Sequence, residues 1–307
     1  MATYRIAILG MGGVGGYLGG MLAAAAIKDT AIIFIARTQT KDTIKEKGLT
    51  LIVNDTTKVV RPHLVSDDPN EIGHLDLLIC SVKGYDLENS LLPYRSCLTN
   101  DSVILPFLNG IGIDAKIKKF LPGVRVWEGC IYIIARQLEK GVIKVAGGVD
   151  LFFGSPAASK DELRQVKTLF DQAGIKTTVP DNIEAEMWRK FLFISVMATA
   201  TSYYNSAIGD IRNDPEKNAS LGKMLDELDR VATATGVSLP PNIIATIEQR
   251  IAGLAPDATS SMYADFQKGG NTELEELTGD VIRLGQQTST PTPIYEKMYS
   301  QLKTRRP

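Results

Sequence analysis

Residues 4–27 read YRIAILGMGGVGGYLGGMLAAAAI: an apolar run, a cluster of glycines, then small residues. Few folds accommodate that order. A buried strand over 4–10 turns sharply into a helix, and Gly10-x-Gly12-x-x-Gly15 sits at the turn. Gly10 permits the tight turn, Gly12 lets backbone approach a pyrophosphate, and Gly15 packs helix against strand. Backbone N–H groups along Gly10, Met11, Gly12, Gly13, Val14 and Gly15 then hold the phosphates at the helix start. The segment predicts dinucleotide binding. A glycine turn serving packing alone is the competing reading.

Further strand-like runs lie at 31–36, 76–82 and 102–110, with a hairpin pattern over 49–60 around Asn54-Asp55. Parallel strands alternating with helices predict an α/β fold, a Rossmann-type doubly wound sheet. From Arg125 to Gly154 the runs break at EKG and AGG, as in antiparallel pairs added to a sheet. A helix over 160–173 and a short strand over 176–180 close the unit. After Pro180-Asp181-Asn182 the pattern is helical: 182–204, 215–236, 240–252, 271–286 and 293–303. The expected division is an NADP-binding domain over 1–180 and an all-helical C-terminal domain over 181–307. A cleft between two domains is a usual ligand site.

Charge and composition exclude other functions. The 34 basic and 35 acidic side chains leave no basic excess for nucleic acid. His63 and His74, with Cys80, Cys97 and Cys130, lack metal-ligand spacing, so no metal is expected. Buried free thiols suit a reducing cytoplasm. Residues 10–27 imitate a secretion signal, but their seven glycines make a poor apolar core or membrane span. A strand pattern also begins by residue 4. The expectation is a cytoplasmic chain, mature from its first residues and without a membrane partner.

The second strand ends FIAR, at Arg37, with no acid before Asp42. NAD enzymes usually place a carboxylate there; a guanidinium instead pairs with a 2′-phosphate, which predicts NADP(H). Two other strand ends carry polar residues: Lys83 in CSVKGYD and Asn109 in PFLNGIG. Lys190 stands in the apolar helix MWRKFLFISVMAT, with Ile194, Met197 and Ala198 on its side. Its stem can lie on apolar surface with the charge in water near Glu186. Alternatively the ammonium is partly buried, with a lowered pKa and an easily surrendered proton.

Together these segments resemble the ketopantoate reductase (2-dehydropantoate 2-reductase) family. The resemblance rests on IAILGMGGVGG, SVK at 81–83, NG at 109–110, WRK at 188–190, SM at 261–262, and Glu273 twelve residues after Ser261. It runs along nearly the whole chain. It implies NADPH-dependent reduction of a 2-oxo acid to a 2-hydroxy acid, as in the 2-dehydropantoate to pantoate step of pantothenate biosynthesis. By the same resemblance Lys190 is the catalytic acid and binds substrate, and Asn109 touches cofactor and substrate. Lys83 lies near the nicotinamide ribose, Ala135 offers backbone to the cofactor, Ser261 binds substrate, and Glu273 faces the ribose. A homodimer is compatible with it. The chemistry agrees: hydride addition leaves negative charge on the carbonyl oxygen, which an ammonium stabilises and then protonates. Glu273 also has a plain reading, since acids in a first helical turn suit the helix dipole.

The family's substrate-side asparagines are missing. Their positions hold Ile194, Ala198 and Ile208, the last before Gly209-Asp210. A buried polar group left unpaired costs about 1–3 kcal/mol, so a pocket lined by Ile and Ala favours a less polar carbonyl compound or one held differently. A second class of function stays open: an NADP(H)-binding sensor without turnover. The missing asparagines motivate it; Lys190, Ser261 and Glu273 oppose it.

Overall fold

The computed structural model describes residues 3–305. Its strands are β1 (Tyr4–Leu9), β2 (Thr30–Ile35), β3 (Leu49–Val53), β4 (Thr56–Val60), β5 (Leu64–Ser66), β6 (Leu77–Cys80), β7 (Val103–Pro106), β8 (Arg125–Val126), β9 (Glu128–Glu139), β10 (Val142–Gly154) and β11 (Thr177–Thr178). Six of them make one parallel sheet in the order β5-β2-β1-β6-β7-β8. Successive residues alternate between two cores. Ile6, Ile8, Ile32 and Phe34 enter one; Ala7, Leu9, Ile33 and Ile35 enter the other. A sheet covered on both faces has no solvent side, which is why its strands read as unbroken apolar runs. The strand order reverses between β1 and β6, so their carboxyl ends bound the crevice where such sheets bind ligands.

The remaining strands form a second sheet, β11-β10-β3-β4, with β9 antiparallel to β10. The antiparallel strands therefore build their own sheet rather than extending the parallel one. Asn54 and Asp55 turn the β3–β4 hairpin with φ of 43° and 68°, the left-handed pair that a two-residue hairpin turn requires. EKG turns β9 into β10, but AGG does not end a strand: it falls in a register shift of β10 between Ala146 and Asp150. The helix α1 (Gly13–Ala25) packs on both sheets. A Cβ at Gly16 would come 2.5 Å from Ile143, and one at Gly19 would come 2.8 Å from Phe34. The later glycines of the N-terminal run thus serve close packing.

The chain divides into two compact units. The first runs to Leu108 and resumes over Gly112–Ile183; the second takes Asn109–Ile111 together with the chain from Glu184 onward. Among the described residues the second unit is wholly helical, built on the helices Ile183–Tyr204, Pro215–Ala234, Ile243–Ala252, Asp280–Gln287 and Pro293–Thr304. The segment expected as one helix over 271–286 instead opens with a π turn, Glu275–Gly279. Helices Ile208–Asn213 and Ser261–Gln267 are additional, too short to show a periodic apolar face.

Buried hydroxyls tie the π turn to the long helix. Ser195 Oγ donates to the Leu277 carbonyl at 2.6 Å and meets the Tyr295 hydroxyl at 2.8 Å, while Thr199 and Thr278 pair at 2.7 Å. Glu227, also buried, accepts from the N–H groups of Ile294 and Tyr295 at 2.9 and 3.2 Å. It thereby satisfies two donors that the start of the last helix leaves without intrahelical partners. Burial raises its carboxyl above the ordinary value, against the pull of those two bonds.

Candidate active site

The turn after β1 is shaped by what each glycine meets. Gly10 has φ 94°, in the region that favours glycine. A Cβ at Gly15 would lie 2.0 Å from the Gly10 carbonyl oxygen and 2.2 Å from Ser81 Oγ, so no side chain fits. A Cβ at Gly13 would lie 2.7 Å from the Ala135 carbonyl oxygen, which puts Ala135 backbone directly against the turn. Gly12 differs: nothing stands within 4 Å of its Cβ position. That open side is where a diphosphate would approach the helix start. Met11 is buried and Val14 half-buried. Ser81, the first residue of SVK, fixes the turn: its N–H donates to Leu9 O and its hydroxyl to Gly10 O, both at 2.9 Å.

A cavity of about 240 Å³ opens beside this turn, lined by Gly10–Gly12, Ile35–Arg37, Thr40, Val82 and Gln137, with Leu9 at its base. No carboxylate lines it. Arg37 is exposed at the end of β2 and donates from Nη2 to Ser90 Oγ at 3.0 Å. Gln137 Nε2 reaches the Met11 carbonyl at 3.4 Å. Open backbone at Gly12 beside this cavity fits a nicotinamide dinucleotide. Lys83 is half-buried just after β6, at the head of the turn Gly84–Asp86.

In the helical unit, the apolar helix carrying Lys190 continues from Ile183 to Tyr204 without proline or glycine. Lys190 does not lie along the surface; the residue is only 6% exposed. Its Nζ donates to Asn109 Oδ1 at 3.0 Å. Glu186, one turn earlier, pairs with Arg189. Asn109 Nδ2 in turn faces Glu273 Oε2 at 3.5 Å, and Glu273 is 2% exposed. An ammonium only donates and a carboxylate only accepts, so the amide is held with oxygen toward Lys190 and nitrogen toward Glu273. Residues 81 and 164 positions apart from Asn109 thus meet at one side chain. A buried, oriented ammonium is suited to stabilising a developing oxyanion and giving it a proton.

Family models match both parts of the chain. "Ketopantoate reductase PanE/ApbA" covers residues 6–158 and "Ketopantoate reductase PanE/ApbA C terminal" covers 182–306. The chain belongs to the ketopantoate reductase family. This makes it an oxidoreductase of the kind that interconverts C=O and CH–OH. A 2-dehydropantoate 2-reductase of Halobacterium salinarum is 29% identical over 94% of this chain and 95% of its own length. The oxidoreductase YkpB of Bacillus subtilis is 26% identical over 97% of both chains. The crystal structure of 2-dehydropantoate 2-reductase from Porphyromonas gingivalis W83 is 31% identical, with a TM-score of 0.85 over 98% of this chain and 99% of that one.

The three positions where the resemblance leads one to expect asparagine are apolar. Ile194, one turn beyond Lys190, is half-buried; Ala198 is buried. Ile208 is 0% exposed, a core residue rather than a pocket wall. Ser261 is exposed in the first turn of its helix, and its neighbour Ser260 does the structural work there. Ser260 Oγ accepts from Tyr263 N–H at 3.0 Å and meets Thr201 Oγ1 at 2.9 Å, anchoring the segment to the Lys190 helix. Among the described residues no group of acidic, His and Cys side chains could hold a metal ion, and no helix is long and apolar enough to cross a membrane. The three cysteines are buried and form no disulfide among the described residues, and burial pushes the Cys80 thiol up to about 12.

Proposed function

We propose that the protein reduces a 2-oxo acid to a 2-hydroxy acid with NADPH, using Lys190 as the proton donor. Residues 1–180 would form the NADP-binding domain and 181–307 the substrate and dimerisation domain. The observation that carries this reading is the buried Lys190 ammonium held at 3.0 Å by Asn109. The glycine turn would hold NADPH, with Arg37 on its 2′-phosphate, and the bound cofactor would be the source of the hydride that the carbonyl carbon takes up. Lys190 steadies the charge that grows on the carbonyl oxygen and delivers a proton to it, completing the hydroxyl. Asn109 keeps the ammonium aimed. Lys83, Ala135 and Glu273 are assigned to the cofactor, and Ser261, with Asn109 and Lys190, to the substrate.

Two substrates are in question. The family favours 2-dehydropantoate, and with it a role in pantothenate biosynthesis. The apolar Ile194 and Ala198 beside Lys190 favour a 2-oxo acid with a less polar side chain. NADPH oxidation, followed at the nicotinamide absorbance across a panel of 2-oxo acids that includes 2-dehydropantoate, decides between them. Tight NADPH binding with no turnover on any of them would instead favour the sensor. A homodimer and a cytoplasmic location belong to the same proposal; sedimentation of the purified chain tests the first.

A further inference from the structure

We infer that Ser90 is a positioning residue for cofactor selectivity, holding the Arg37 guanidinium in place for the 2′-phosphate of NADPH. This rests on the NADPH reading above. Ser90 lies on the short helix Leu87–Leu91, 53 residues from Arg37 in sequence. Its residue is 2% exposed while Arg37 is exposed, so a rigid, buried oxygen anchors a side chain that would otherwise be mobile. The bond from Arg37 Nη2 at 3.0 Å is the one hydrogen bond the Ser90 side chain makes among the described residues.

The chemistry of the anchor matters. A serine hydroxyl is neutral, so it orients the guanidinium without cancelling its charge. Arginine offers five N–H donors; Ser90 takes one and the others stay available to a phosphate. Asp67, an acid that follows the neighbouring strand β5, pairs with Lys41 at 2.7 Å. Backbone geometry points the same way. Thr38, immediately after Arg37, has φ 51°, a conformation that β-branched residues rarely adopt. Such strain persists where the surroundings hold it, here at the rim of the cavity that Arg37 and Thr40 line. Fixing a long side chain before binding removes part of the entropy loss that binding would otherwise carry.

The test is a set of dissociation constants for NADPH and NADH with Ser90→Ala, Arg37→Ala and the double variant. Ser90→Ala is expected to weaken NADPH about tenfold and leave NADH unchanged. In the Arg37→Ala background it should change neither. Ser90→Thr, which keeps the hydroxyl, should restore most of the NADPH affinity; Ser90→Cys, close in size with a weaker acceptor, gives the same reading if the alanine variant does not fold. Equal weakening of both cofactors, or a Ser90 effect that persists without Arg37, overturns the inference. If Arg37→Ala leaves the preference for NADPH unchanged, Arg37 does not hold the 2′-phosphate and the inference falls; if the parent binds NADH as tightly as NADPH, the NADPH reading itself falls, which is a separate outcome.

Discussion

Lys190 Nζ donates to Asn109 Oδ1 at 3.0 Å, although 81 residues separate them in sequence. The contact joins two segments of the second unit, Asn109–Ile111 and the apolar helix that carries Lys190. It gives the ammonium a fixed direction through a neutral amide oxygen.

Asn109→Ala removes that acceptor. A hydrogen bond to a charged group contributes about 1.5–3 kcal/mol, so turnover should fall roughly tenfold to a hundredfold. Steady-state kinetics on the best 2-oxo acid of the panel provides the check. Turnover within twofold of the parent would mean the contact does not aim the ammonium.

Gly12→Ala and Gly15→Ala should separate binding from folding. The added Cβ at position 12 meets nothing within 4 Å, so the variant should melt like the parent yet bind NADPH poorly. At position 15 the Cβ would lie 2.0 Å from the Gly10 carbonyl oxygen, and both stability and binding should drop. Thermal melting alongside NADPH titration distinguishes the two. Normal affinity in Gly12→Ala would remove the open side of the turn as a phosphate seat.

Ser195→Ala would strip the Leu277 carbonyl and the Tyr295 hydroxyl of a buried partner. The expected loss is about 1–3 kcal/mol, read from the urea midpoint. A midpoint unchanged within error would show that the π turn does not depend on the long helix.

Acid stability should depend on Glu162. Its carboxyl is lowered from 4.5 to about 2, first by the Ser159 backbone N–H and then by Arg125 and the Ser159 hydroxyl. A folded value below the unfolded one contributes stability above about 4.5 that is lost as pH falls toward 2. Glu162→Gln should therefore melt below the parent at pH 7 and approach it at the acid end. Parallel melting curves across that range would contradict the assignment.

Much of the parallel sheet is legible in the sequence because its strands are short unbroken apolar runs and its first turn is written in glycines. Of the second sheet only the hairpins β3–β4 and β9–β10 are legible, since the parallel pairing of β10 with β3 and β11 rests on contacts that no local pattern encodes. The π turn at Glu275–Gly279 is hidden for a related reason: its cause lies in Ser195 and Thr199, far away in sequence. At the candidate site, Lys190, Asn109 and Glu273 can each be named from short motifs, but their meeting at one amide cannot. Ser81 opens the SVK motif and Ser90 belongs to none, yet each matters through the atom it touches.

The most direct test is Lys190→Ala, assayed for NADPH-dependent reduction of the authentic 2-oxo acid with NADPH affinity measured in parallel. Loss of general-acid catalysis should lower turnover at least about a hundredfold while cofactor binding largely survives. Undiminished turnover would remove Lys190 from the chemistry and contradict the account.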